Sequence, residues 1–263
     1  MMHSITRDNT IKGSRIKYYG IRILAVLFWI AVWQIASICL GQEILLASPV
    51  SVIRKLAELI FTADFWQSVG FSFGRIIFGF LTAIILGILS AVCACRFSFV
   101  EVILNPLINV MKSTPVASFI ILCLVWIPSR NLSVFISFVM VLPVIYTNIL
   151  EGIRHTDDQL LEMASVFRVS PVKKILYIYL SQILPYLLTA CRLSLGMCWK
   201  AGVAAEVIGV PKGSIGEKLY NAKIYLNTPD LFAWTIVIIL ISFVFEKCFL
   251  AVLKKAVRLI ESH

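Results

Sequence analysis

Very few residues in this chain are placed to do covalent chemistry. Gly70-Phe71-Ser72-Phe73-Gly74 has the Gly-x-Ser-x-Gly pattern of a hydrolase nucleophile. That pattern works where a strand feeds a sharp turn and a histidine takes the serine proton. Here it opens an apolar helix, and the three histidines (His3, His155, His263) fall outside the apolar stretches. Cys93-Ala94-Cys95 has no nearby histidine and lacks a common zinc spacing, so no metal is expected there. There is no His-Glu-x-x-His pair and no Gly-x-x-x-x-Gly-Lys-[Ser/Thr] phosphate loop. The sequence therefore predicts no catalytic residue, no metal and no cofactor held by this chain.

A different chemistry is suggested by ionisable residues inside apolar stretches: Lys112, Arg192, Lys200 and Glu206. Charges at membrane depth are costly and usually face a bundle interior or a water-filled path. Lys112 stands three residues before Pro115, where a helix should break and free backbone carbonyls to line a cavity. Lys112, Arg192 and Lys200 together would attract an anion. In the competing reading Lys200 pairs with Glu206 or snorkels, and Arg192 pairs at a helix boundary. Both readings stand at this point.

The elements that must position these residues follow from composition. Of 263 residues, 60% are hydrophobic and 14% charged, against about 45–50% and about 25% in a soluble domain. Disorder and a disulfide scaffold are excluded, and the seven cysteines read as small hydrophobes. The expected fold is all-α, a polytopic membrane protein with about six crossings of about 20 residues each. That length leaves no room for a soluble nucleotide-binding domain. The crossings are expected at 23–40, 76–95, 102–127, 131–150, 183–207 and 231–253, within one transmembrane domain over 23–255. Polar segments 1–22 and 256–263 flank it. A cleavable signal peptide is the rival for the first run, but the run is long for one, and Gln42-Glu43 follows where a small-residue site would stand.

The formal charge of +10 admits a nucleic-acid partner or a membrane orientation. With both termini inside, fourteen of the 24 Lys and Arg fall on the inner side and six in outer loops. The rest are Arg75, Lys112, Arg192 and Lys200, in or at the edge of the spans. This is the positive-inside pattern, N-in and C-in, and nucleic acid is excluded as a partner.

Three connecting segments carry structure of their own. Ser48-Pro49 should cap an outer helix whose stripe Val52, Ile53, Leu56, Leu59 and Ile60 lies on membrane lipid. Ser214-Ile215-Gly216-Glu217 reads as a capping box. In the inner loop 151–182, Thr156-Asp157-Asp158-Gln159 is another, opening a helix of about eleven residues that ends before Ser170-Pro171. Its apolar stripe is Leu160, Leu161, Ala164 and Phe167. Such a helix either rests on lipid or docks a cytoplasmic partner, and the physics alone weighs these equally. Gly70, Gly74 and Gly79, with Gly196 and Gly202, permit close helix approach.

At this loop the sequence resembles a family. Glu162-Met163-Ala164, then Arg168, Ser170 and Leu184-Pro185, is similar to the "EAA" loop of permease subunits of binding-protein-dependent ABC importers. Val172-Lys173-Lys174-Ile175, Arg192-Leu193-Ser194-Leu195-Gly196 and Ala204-Ala205-Glu206-Val207-Ile208-Gly209 resemble the nitrate/sulfonate/taurine branch. Ser48-Pro49 and Ser113-Thr114-Pro115 fit as well, so the likeness covers about residues 45–255. The chain departs from the pattern at Met163, at Arg168 where the family has Gly, and at Ile127-Pro128-Ser129-Arg130 where it has a Phe-Gly-like turn. Glycine there ends the helix in a tight turn at the partner surface, so Arg168 implies an altered docking angle.

The resemblance implies a bacterial inner-membrane, multi-pass permease, paired with a second copy. It implies two cytoplasmic ATPase subunits that bind ATP and Mg, an extracytoplasmic solute-binding protein, and alternating access. It makes Leu160, Leu161, Glu162, Ala164, Phe167 and Arg168 the ATPase-coupling candidates. Lys112, Pro115, Arg192, Gly196, Lys200 and Glu206 become candidates for the translocation pathway and its gate. The solute would be small: an anion such as nitrate, a sulfonate or taurine, or a vitamin precursor. A stand-alone secondary transporter is the alternative.

Overall fold

Apolar runs in a bilayer must satisfy their backbone groups internally, and helices do so. Among the described residues every regular element is helical. The computed structural model describes the backbone of residues 3–261 and the side chains of 20–257 other than Leu176 and Ala256. The side chains of Arg7, Lys12, Arg15 and Lys17, of Arg258 and the rest of the 256–263 tail except Val257, and of His3 and His263 lie outside the described residues.

The helices are α1 (His3–Leu40), α2 (Pro49–Ile60), α3 (Ala63–Arg96), α4 (Ser98–Ser113), α5 (Val116–Cys123) and α6 (Ser129–Arg154). They continue with α7 (Asp158–Val166), α8 (Pro171–Lys174), a π-helical turn (Ile175–Tyr179), α9 (Leu180–Gly209), α10 (Ile215–Ile224) and α11 (Thr228–Glu261). Five helical stretches are long and apolar enough to cross a membrane: the Gly20–Leu40 part of α1, α3, α6, the stretch ending in α9, and α11. The bent pair α4–α5 would be a sixth.

That pair turns by 108°, and the reason is local. Pro115 excludes the helical conformation from the residue before it, and Thr114 is extended, at φ −75 and ψ 127. The hydroxyls of Ser113 and Thr114 donate to the carbonyls of Asn109 (2.8 Å) and Val110 (2.6 Å).

Helix directions show which end of the bundle the bent pair leads to. Arg75 of α3 donates to Asn131 Oδ1 at 3.1 Å and to the Arg130 carbonyl. Gly79 abuts the Val134 carbonyl, so close that a Cβ would stand 2.3 Å from it, and Gly87 abuts Ile145. These contacts advance together, so α3 and α6 run parallel. The chain between them must return to the end where it began, and α4–α5 makes that return. Helix α9 is antiparallel to α6: Gly202 meets Ser137, Gly209 meets Leu132, and Tyr186 meets Gly152. Helix α11 runs with α3, through Phe65–Trp234 (5.2 Å), Phe73–Phe245 (5.6 Å) and Phe80–Phe249 (5.2 Å).

These helices share a buried seam of Ile76, Phe80, Ile145, Tyr146, Leu195 and Trp199. They form one unit, Thr62–Asn221 with Trp234–His263. One end of it, the α10 end, holds Arg75, Arg130, the last turns of α9 and the start of α10. The other, the α7 end, holds Arg96, α7 and the Arg154–Glu101 ion pair (2.5 Å). A second unit comprises Met1–Phe61 and Ala222–Ala233. Within it, Trp33 Nε1 donates to the Ala47 carbonyl (3.0 Å), Ser37 to Leu46 (3.0 Å) and Thr228 to Ile44 (2.5 Å).

Several helices extend beyond the expected spans. Helix α1 runs without a break through the segment read as a polar lead-in. Helix α3 starts well before residue 76; its 34 residues span about 50 Å at 1.5 Å per residue, beyond the about 30 Å hydrocarbon core. Ser48 caps α2 as expected, its hydroxyl accepting from Ser51 N at 3.1 Å. At α10, Ser214 accepts from Glu217 N (2.9 Å), while the Glu217 carboxylate reaches back to Gly213 N (2.6 Å). The cap of α7 is Asp157, not Thr156: Asp157 accepts from Gln159 N (2.9 Å), and Thr156 donates to the Gly152 carbonyl (3.3 Å) instead. Helix α7 has nine residues. Gly79 and Gly202 make the expected close approaches, whereas Gly70, Gly74 and Gly196 meet nothing within 4 Å.

Candidate functional site

The α7 end carries a short, well-terminated helix. Asp157 and Asp158 lie at its N-terminus, where carboxylates favour the helix dipole. At the other end, Arg168 stands in the left-handed region at φ 50. Val169 N donates to the Ala164 carbonyl (2.9 Å) and Arg168 N to that of Ser165 (3.1 Å), the paired bonds of a Schellman turn. The turn is closed without a glycine: Arg168 adopts the backbone geometry a glycine would, at a steric cost.

The stripe read from the sequence is divided by the fold. Ala164 is buried, at 2% exposure, and Leu160 and Leu161 are half-buried. Phe167 is 75% exposed, and it is joined by Met163 and Val166, which the stripe had not included. The exposed tip of α7 is therefore Glu162, Met163, Val166, Phe167 and Arg168. Beside it lies a groove of about 570 Å³ lined by Asp158, Leu161, Glu162, Ser165, Val166 and Lys174.

Along α9, Arg192, Leu193, Met197 and Lys200 are exposed, with Gly196 half-buried between the two charges. Arg192, Gly196 and Lys200 are spaced four residues apart and so form one face. The two cations stand about 12 Å apart along the axis. Lys112 and Pro115 are exposed at the α4–α5 bend. The described ion pairs include none of Lys112, Arg192 or Lys200. The pairing of Lys200 with Glu206 considered from the sequence is not made.

Glu206 is fully buried, and its bonds lie elsewhere. Ser72 Oγ donates to Glu206 Oε2 at 2.6 Å and itself accepts from Ile215 N at 2.9 Å. Gly216 N also points to Oε2, at 3.4 Å. Ser72, in the apparent hydrolase motif, thus sits mid-helix on α3 and bonds a carboxylate rather than a histidine. The sequence reading missed Ser72 as a partner of Glu206. The available signal was a pair of serines, Ser68 and Ser72, one turn apart in an apolar helix.

Residues 83–258 match the family described as binding-protein-dependent transport system inner membrane component. The chain is 29% identical to a putative aliphatic sulfonates transport permease protein of Bacillus subtilis, over 83% of this chain and 79% of that one. It is 27% identical to a nitrate import permease protein of Synechococcus elongatus, over 83% and 82%. With a taurine transport system permease protein of Escherichia coli it shares 26% identity, over 86% and 84%.

Proposed function

We propose, from the premise that this chain belongs to the family of binding-protein-dependent transport system inner membrane components, that it forms half of the translocation pathway of an ATP-driven importer. The observation that carries the reading is the open face of α9. Arg192 and Lys200 lie there within an apolar helix, exposed and without an ion-pair partner among the described residues. Facing hydrocarbon would cost on the order of 3 kcal/mol for each. A second copy of the chain applied to that face would enclose both charges in a watered path. The exposed Lys112 at the bend, beside the freed backbone around Pro115, extends the same polar lining.

The α7 end holds Arg96, Arg154, Arg168, Lys173 and Lys174, and the positive-inside rule makes it cytoplasmic. The tip of α7 then offers Met163, Val166 and Phe167 to an ATPase subunit, with Glu162 and Arg168 as its polar rim. Ala164 and the half-buried leucines face away from this tip. ATP and Mg are bound by two such subunits, a solute-binding protein meets the α10 end, and alternating access follows ATPase closure.

The cationic lining favours a small anion, and relatives are named for sulfonates, nitrate, taurine and bicarbonate import. The test is uptake into proteoliposomes holding this chain, its ATPase and its binding protein, with taurine, nitrate and bicarbonate as probes. Uptake that requires both ATP and the binding protein supports the reading. Uptake by the chain alone without ATP overturns it in favour of a secondary transporter.

A further inference from the structure

A carboxyl buried in an apolar bundle is costly, and removing half of its pairing costs more. Glu206 is 0% exposed, so it borders no open path, and its bonds join three segments. Its carboxylate accepts from Ser72 Oγ of α3 and from Gly216 N of α10, at 3.4 Å, while its own backbone carbonyl accepts from Val210 N at 2.8 Å. Ser72 completes the triangle by accepting from Ile215 N. The approach is close enough that a Cβ on Gly216 would lie 2.3 Å from Glu206 Cβ and 2.6 Å from Val207 N. Lys218, one turn further along α10, bonds Asp64 in the first turn of α3 at 2.6 Å.

The chain between α9 and α10 is held in an unusual form. Val210 has φ 46 and ψ 53, a conformation that β-branched residues rarely adopt. Such strain persists only where the surroundings over-determine it, and Val210 stands between the end of α9 and the start of α10, which Glu206 and Gly216 bring together. A carboxylate facing the N-terminus of a helix is also the favourable sign for its dipole.

We infer that Glu206 is a positioning residue: it fastens α10 to α3 and α9, so that these three move as one piece at the α10 end. This rests on the function proposed above. In that orientation α10 lies on the side of the binding protein, and α9 carries Arg192 and Lys200. Docking at α10 therefore reaches the pathway face through Glu206. The requirement is for geometry and not for charge. A glutamine can accept from Ser72 and Gly216 through its oxygen. It can donate its amide to Ser133, a buried serine of α6 near the carboxyl whose hydroxyl, like Glu206 Oε1, has no hydrogen-bond partner among the described residues.

The test compares E206Q, E206A and S72A in the complete complex with its ATPase and binding protein, at equal assembled amounts. The readouts are ATPase stimulation by the binding protein, with taurine, nitrate or bicarbonate added, and amide exchange over residues 215–218. E206A and S72A are expected to lose at least fivefold of the stimulation and to exchange those amides at least tenfold faster. E206Q is expected to restore both to within twofold of the native chain. Failure of E206Q to match the native chain, or unchanged exchange in S72A and E206A, overturns the assignment. If E206A does not assemble, S72A and E206Q decide it. A native complex with no stimulated ATPase would defeat the function reading, while the exchange result would still report on Glu206.

Discussion

Lys200 and Glu206 stand six residues apart on one helix, yet they face different surroundings. Glu206 is fully buried against Ser72 and the start of α10, and Lys200 is exposed on the face that also carries Arg192. Their opposite charges do not meet, which leaves Lys200 free to act on something outside this chain.

Replacing Lys200 with methionine keeps the helix propensity and the length of the side chain but removes its charge. The expected outcome is a rise of about tenfold in KM for an anionic solute, equivalent to about 1.4 kcal/mol, with assembly unchanged. ATP-driven uptake into vesicles measures it. Unchanged uptake would remove Lys200 from the pathway.

At the tip of α7, Glu162→Lys and Phe167→Glu should each prevent association with the ATPase while the chain still inserts in the membrane. Phe167 is 75% exposed, so a charge there does not disturb the permease itself. Co-purification of the ATPase with each variant is the measurement, and normal recovery of both variants would sink the docking role.

Arg168 pays a steric penalty at φ 50, on the order of 1 kcal/mol. Arg168→Gly removes that penalty but adds unfolded-state freedom, so stability should stay level or rise by less than about 1 kcal/mol. Arg168→Val should lower it by about 1 kcal/mol or more, because a β-branched residue tolerates this region poorly. Exchange of the Val169 amide, which bonds the Ala164 carbonyl, reports on the turn directly.

The α3–α6 seam should be intolerant of bulk. A Cβ at Gly79 would stand 2.3 Å from the Val134 carbonyl, and backbone cannot yield as a flexible side chain does. Gly79→Val is expected to destabilise the chain by about 2 kcal/mol and to lower its thermal midpoint in detergent. Gly74→Ala, five residues earlier and facing open space, should leave the midpoint unchanged.

Much of the fold was legible as pattern. The apolar runs marked the crossings because a bilayer sets their length and forbids unsatisfied backbone. Pro115 marked the break in the third because a proline constrains the residue before it. Ser48-Pro49 marked the start of α2, since a serine side chain accepts an amide that the helix leaves free. The candidate site was legible as residue types: cations within apolar helices, and a capped amphipathic helix in a basic loop. Which face each residue took was not. The stripe Leu160, Leu161, Ala164 and Phe167 obeyed helical spacing, but α7 ended at Val166 and Phe167 left the stripe with it.

By itself, then, the sequence determined that this is a helical membrane protein, where its chain breaks and caps, and which family it resembles. Those properties follow from length, hydropathy and bonds between residues a few positions apart. Tertiary structure alone decided that α3 and α6 run parallel, so that the bent pair must return the chain to the α10 end. It alone decided that Glu206 answers to Ser72, 134 positions away, and not to Lys200. Hydrogen bonds and glycine contacts between distant segments depend on how whole helices pack. Local spacing carries no record of which face meets which.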